Sequence, residues 1–200
     1  MIVRPVFTAL IASFTLPVIA SAASLFNVTF TDTSTLTGAT GNTLDIGYTD
    51  PSSNGPVNPG DALITVLFPE AGFTVAATGT NASCASLNVN VLLNSSNVNS
   101  FFLCDVTAGG TDNQIVVRDK SSAGLGVSSN AHLDISISNV TNSATAGTYR
   151  LTSLTDNGDG NTAAGALPAI TLTSPAPEPS SLILVAGGIG LAAARLRRRR

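Results

Sequence analysis

His132, Asp134 and Ser136 supply the three side-chain types of a hydrolytic triad, at alternate positions of "AHLDISISNV" (131–140). Leu133, Ile135 and Ile137 alternate with them, which makes the segment a strand with one apolar and one polar face. Polar residues on such a face stand roughly 6.6–7 Å apart. A straight ladder of that kind does not bring nucleophile, base and orienter onto one substrate atom. The spacing therefore predicts the solvent side of a strand, with no catalytic site.

Two further patterns carry chemistry. "DNGDGN" (156–161) offers oxygens from Asp156, Asp159 and Asn161 on a glycine-softened path. It lacks the alternating ligands and the distant bidentate glutamate of an EF-hand loop, so a plain Asp/Asn/Gly turn is expected, with no metal and no cofactor. Cys84 and Cys104 are the only cysteines. In an exported chain they are expected to form a disulfide, since a catalytic thiol would have to recruit the single histidine, His132. Any two of Asp45, Asp50, Asp61, Asp105 and Asp112 converging in a cleft would instead indicate a carbohydrate-active enzyme.

The elements that position these residues are short. "SLFNVTF" (24–30), "TLDIGY" (43–48), "DALITVLF" (61–68) and "GFTVAAT" (72–78) are apolar runs with period two. So are "LNVNVLL" (87–93), "SFFLCDV" (100–106), "NQIVVR" (113–118), "GTYRLTSL" (147–154) and "AITLT" (169–173). Together with 131–140 they predict about eight to ten strands, and no segment of the body sustains a helical period. "PSSNGPVNPG" (51–60) and the Gly/Asp/Asn stretches between runs supply turns. The expected fold is an all-β, two-sheet antiparallel sandwich over residues 24–174.

Charge narrows the function further. Between Ser24 and Ser174 the chain has three basic residues (Arg118, Lys120, Arg150) and eleven acidic ones, a balance of −8. A body that acidic argues against nucleic-acid binding, which depends on neutralising phosphates. Ser, Thr and Asn make up 56 of those 151 residues, an uncharged polar surface typical of secreted proteins. The chain has no Trp and two Tyr, which speaks against a deep aromatic sugar platform. The sequons at Asn27, Asn81, Asn94 and Asn139 fit chance occurrence in so Asn-rich a chain. "LPAIT" (167–171) misses a sortase signal at Ile170, where that motif needs Thr.

Both ends read as targeting. Arg4 followed by "VFTALIASFTLPVIA" (6–20) and "ASAA" forms a signal peptide over 1–23, cut after Ala22 or Ala23. At the other end "SPAPEP" (174–179) is a stiff extended leader. It precedes "SSLILVAGGIGLAAA" (180–194), which is charge-free and spans about 22 Å as a helix, short of the roughly 30 Å hydrocarbon layer. Arg195, Arg197, Arg198, Arg199 and Arg200 end the tail and are expected to stay cytoplasmic. The body then lies outside, as the leader independently requires.

Within a tail of residues 175–200, Pro177, Glu178 and Pro179, the short glycine-bearing apolar segment and the terminal arginines resemble the PEP-CTERM sorting signal over 177–200. That resemblance implies a Gram-negative bacterium with an exosortase, a membrane enzyme acting near the Pro-Glu-Pro. It also implies a secreted, low-charge protein associated with exopolysaccharide and biofilm. A separate, looser resemblance links "ISNVTNSATAGTYRLTSLTD" (137–156) to the closing strands of immunoglobulin-like domains in bacterial surface proteins. The expectation is an exported envelope or matrix protein rather than an enzyme. Its inner-membrane precursor would be handled by signal peptidase and exosortase, and polysaccharide is its expected partner. A carbohydrate-binding or carbohydrate-active sandwich, and a permanently anchored periplasmic domain, are the alternatives.

Overall fold

A computed structural model of the protein describes residues 24–52, 60–120, 128–157 and 160–176. The chain is all-β. Its strands are β1 (Ser24–Asp32), β2 (Asn42–Asp50), β3 (Ala62–Pro69), β4 (Phe73–Val75), β5 (Gly79–Ser83), β6 (Val89–Leu93) and β7 (Ser96–Asn97). They continue as β8 (Phe102–Thr107), β9 (Asp112–Asp119), β10 (Ala131–Asn142), β11 (Gly147–Arg150), β12 (Ser153–Asp156), β13 (Asn161–Ala163) and β14 (Ala169–Leu172). Each of the ten expected runs carries a strand. The described chain nevertheless forms fourteen strands, more than the eight to ten anticipated. β5, β7 and β13 are short and polar, with no apolar alternation to reveal them. The run 147–154 divides in two because β11 pairs with β14 while β12 pairs with β3.

The strands follow one hydrogen-bonded path, β5-β8-β9-β3-β12-β13-β1-β2-β10-β6-β7, with β4 also on β10 and β11–β14 as a separate pair. β1 is the joint. Ser24 and Leu25 run parallel to β13, whereas Phe26 to Asp32 run antiparallel to β2, with a register break between Phe26 and Thr29. Asn27 sits inside that break at φ 53°, a left-handed conformation that asparagine tolerates better than most residues. The path thereby curls around a single apolar core.

That core follows from the alternation. Leu44, Ile46 and Tyr48 of β2 and Leu133, Ile135 and Ile137 of β10 are fully or almost fully buried, opposite one another in register. Phe73 lies at the centre of an aromatic group, 5.8 Å from Phe30, 6.3 Å from Phe68 and 5.7 Å from Tyr149 between ring centres. No helix among the described residues is long and apolar enough to cross a membrane. The signal peptide with its cut at Ala22 or Ala23, the Pro177-Glu178-Pro179 motif, the apolar segment 180–194 and the arginine cluster all lie outside the described residues.

Candidate functional site

The polar face of β10 is built differently from a bare ladder. His132 Nε2 lies 3.1 Å from Asp134 Oδ1, and its Nδ1 lies 3.4 Å from Thr49 Oγ1 on β2. Side chains two residues apart thus bridge the strand repeat that seemed to separate them. Ser136 stands opposite Asp45 of β2 and takes no part in this chain of contacts, so histidine and carboxylate are joined without a nucleophile.

Gly47 explains how the face closes. A Cβ on Gly47 would stand 2.7 Å from both Asp134 Oδ1 and Thr29 Oγ1, so the absent side chain is the space they fill. Thr29 Oγ1 in turn accepts from Gly47 N at 3.1 Å. Asp45 is pushed above the usual carboxylate range by burial first, then by the negative charges of Asp134 and Asp32. Three carboxylates on β1, β2 and β10 therefore share one field. Sequence spacing contained Asp134 but not this grouping, which exists only through the β1–β2–β10 register.

A second polar group is buried. Tyr48 Oη donates to Asp156 Oδ2 at 3.2 Å, and Asn161 Nδ2 donates to Asp50 Oδ1 at 3.1 Å and to Ser52 Oγ. Asp50 and Asp156 have no solvent exposure and Asn161 only 2%. The two ends of the "DNGDGN" stretch thus point inward and are tied to β2, whereas a plain turn would leave them in water. Gly158 and Asp159 lie outside the described residues. Among the described residues no group of three or more His, Cys, Asp or Glu side chains is placed to hold a metal ion.

The other acids are engaged separately. Asp105 takes Arg118 Nε at 2.6 Å on Oδ2 and Asn81 N at 2.6 Å on Oδ1. Asp112 Oδ1 accepts from Thr152 Oγ1 at 2.7 Å. Asp61 precedes β3, its carbonyl accepting from Asp119 N at 3.2 Å. Cys84 and Cys104 are disulfide-bonded, with Cα atoms 4.8 Å apart and both side chains buried. The bond ties the 3-10 turn Cys84–Leu87 to β8 just past the edge strand β5.

One open groove of about 430 Å³ runs between Ser24–Val28 of β1 and the residues leading into β14. Ala164, Ala166, Leu167 and Pro168 form its far wall, and Phe26 is 40% exposed. Its lining carries no charged residue. Among the described residues the structure offers this neutral, partly apolar cleft and the acidic β1–β2–β10 face as surfaces for a ligand.

No protein-family model matches the sequence, and no curated protein matches it. Among solved structures, the crystal structure of BcpA, the major pilin subunit of Bacillus cereus, is similar over 76% of this chain and 40% of that chain. The identity is 12% and the TM-score 0.41. The chain thus spans well under half of the pilin's length.

Proposed function

We propose that this is an exported bacterial envelope protein whose body, an immunoglobulin-like sandwich, serves a structural or adhesive role in an extracellular polysaccharide matrix. The observation that carries the reading is the tail: Pro177-Glu178-Pro179, a charge-free segment and five arginines, in that order. The buried disulfide supports it, because such bonds persist in oxidising compartments outside the cytoplasm. In this reading signal peptidase removes 1–23 and the tail holds the precursor in the inner membrane. Exosortase then cuts near the Pro-Glu-Pro, and the mature protein reaches the cell surface or matrix. No catalytic role is assigned to the body, since His132 and Asp134 meet without a nucleophile.

The intact mass of the protein recovered from its host tests this. A chain beginning at Ala23 or Ser24 and ending near Pro177–Pro179 is expected. A chain still ending at Arg200 overturns the processing step and leaves a permanently anchored periplasmic domain. The groove beside Phe26 favours a second reading, binding of a neutral sugar. Loss of host-polysaccharide retention in Phe26→Ala, with unchanged melting, is the result that reading requires.

A further inference from the structure

The tail leaves the body at a particular end, built from stretches that carry no charge. Thr173, just past β14, is bound on both sides of the β1–β2 connection. Its N–H donates to Thr35 O at 2.8 Å and its carbonyl accepts from Thr37 N at 3.0 Å. Gly38 N donates to Ser143 O at 2.9 Å, and Asn142 N donates to Ala39 O at 2.8 Å. Three stretches are thereby fastened together where the chain exits: 33–41, 143–148 and 171–176. None of them contains a charged residue.

The body as a whole is acidic, so this neutrality is local. Asp32 borders the end, half-buried, its Oδ1 accepting from Ser34 N and its Oδ2 from Asn142 Nδ2. Glu70 lies beyond the turn whose Gly72 carbonyl accepts from Ser143 N, and Asp112 begins β9 opposite Pro69. Asp50, Asp61, Asp119 and Asp156 all fall at the opposite end of their strands, where β1 begins. Leu36, in the middle of the neutral end, is 45% exposed.

Chain length sets how far this end can stand from lipid. Six residues lie between Thr173 and Ser180, where the apolar segment begins, which makes seven Cα–Cα steps. Even fully extended they span at most about 25 Å, and the polar headgroup layer takes up part of that distance. Where the leaflet facing an acidic body tethered so closely carries anionic lipid, carboxylates within a Debye length of it are repelled. The three stretches add no charge of their own, and Asp32, the carboxylate bordering them, is held by Ser34 and Asn142, so this end is repelled least and an exposed leucine gains by entering the interface.

We propose that the uncharged end formed by 33–41, 143–148 and 171–176, with Leu36 at its centre, lies against the lipid bilayer while the tail is anchored. This rests on the membrane-held precursor proposed above. Because the chain contains no Trp, a single introduced indole reports its own position. Leu36→Trp, Thr35→Trp and Phe101→Trp forms of the tail-bearing chain without its leader (24–200) are reconstituted in vesicles of phosphatidylethanolamine and phosphatidylglycerol, with and without brominated acyl chains. Phe101 is also exposed and precedes β8 at the Asp119 end, so it serves as the distant control. Flotation with the vesicles is expected, with the indole at 36 or 35 quenched about twofold, as for Trp seated at an interface, and that at 101 unaffected. Thr35→Trp keeps the test open if replacing Leu36 disturbs the turn. Flotation without selective quenching at either position overturns the lipid contact while leaving the anchor intact. Failure to float overturns both.

Discussion

Asn99 lays its side-chain amide along the outer edge of β6. Its Oδ1 accepts from Val91 N at 2.7 Å, while its Nδ2 donates to Val89 O at 3.2 Å. One amide thus supplies the donor and acceptor that a neighbouring strand would supply, on an edge where β7 pairs only with Leu92 and Leu93. Unpaired edges invite association with other chains, and this one is closed by a side chain.

Removing that amide should cost both stability and solubility. Asn99→Ala leaves Val91 N–H and Val89 C=O to weaker partners, a loss of about 1–3 kcal/mol. Equilibrium urea unfolding checks the first effect and light scattering during storage checks the second. Asn99→Asp retains the acceptor for Val91 but not the donor for Val89, so it should fall between the two.

The same residue type shows what could and could not be read from the sequence. The strand runs were legible because alternation of apolar residues is a property of the sequence itself, as in Leu133, Ile135 and Ile137. The asparagines read as polar surface, turn residues or sequons, with no sign of which are buried. In the structure Asn27, Asn81, Asn88, Asn94, Asn130 and Asn139 all adopt positive φ. They take turn and bulge positions that glycine would otherwise fill. All four sequon asparagines are among them, so backbone geometry accounts for their placement. Asn42, Asn113, Asn142 and Asn161 are buried, which composition could not foretell because their partners lie up to about a hundred residues away in sequence. For example, Asn142 Nδ2 reaches Leu36 O at 3.1 Å. The grouping of Asp32, Asp45 and Asp134 was hidden for the same reason, since strand register alone creates it.

Gly72 and Tyr149 yield a prediction about packing. A Cβ on Gly72 would stand 2.5 Å from Tyr149 Cδ1, and the Tyr149 hydroxyl is fixed to Thr145 O at 3.0 Å. Gly72→Ala must therefore displace the ring and weaken its edge contact with Phe73, at a cost of about 1–3 kcal/mol. In a Tyr149→Ala background the same substitution should be nearly neutral. Additive losses in that double-mutant cycle would show that the ring is not what excludes a side chain at 72.

The disulfide should act mainly on the unfolded chain. Cys84 and Cys104 are 20 residues apart in sequence, and closing a loop of that size is worth about 3 kcal/mol in the chain-entropy model. Melting with and without reductant should show that loss, and the Cys84→Ala/Cys104→Ala pair should reproduce it. The first region to gain amide exchange on reduction should be β5, which pairs only with β8 and forms the end of the strand path.

Asp45 gives a pH dependence with a definite sign. Its carboxyl is raised above the ordinary value by burial and by the charges of Asp134 and Asp32, so the folded state binds its proton more tightly than the unfolded state does. Stability linked to this residue is therefore greatest at low pH. It falls as pH rises from the unfolded value of 3.8 through the raised folded value. Asp45→Asn removes that penalty and should stabilise the protein at neutral pH, with the advantage shrinking as pH falls toward 3.8. His132 faces the same carboxylates through Asp134, so the comparison belongs in the His132→Gln background as well. With no imidazole at 132, the Asp45→Asn difference should persist. A neutral-pH gain that stays constant down to acid pH would mean that Asp45 is unfavourable through packing rather than charge.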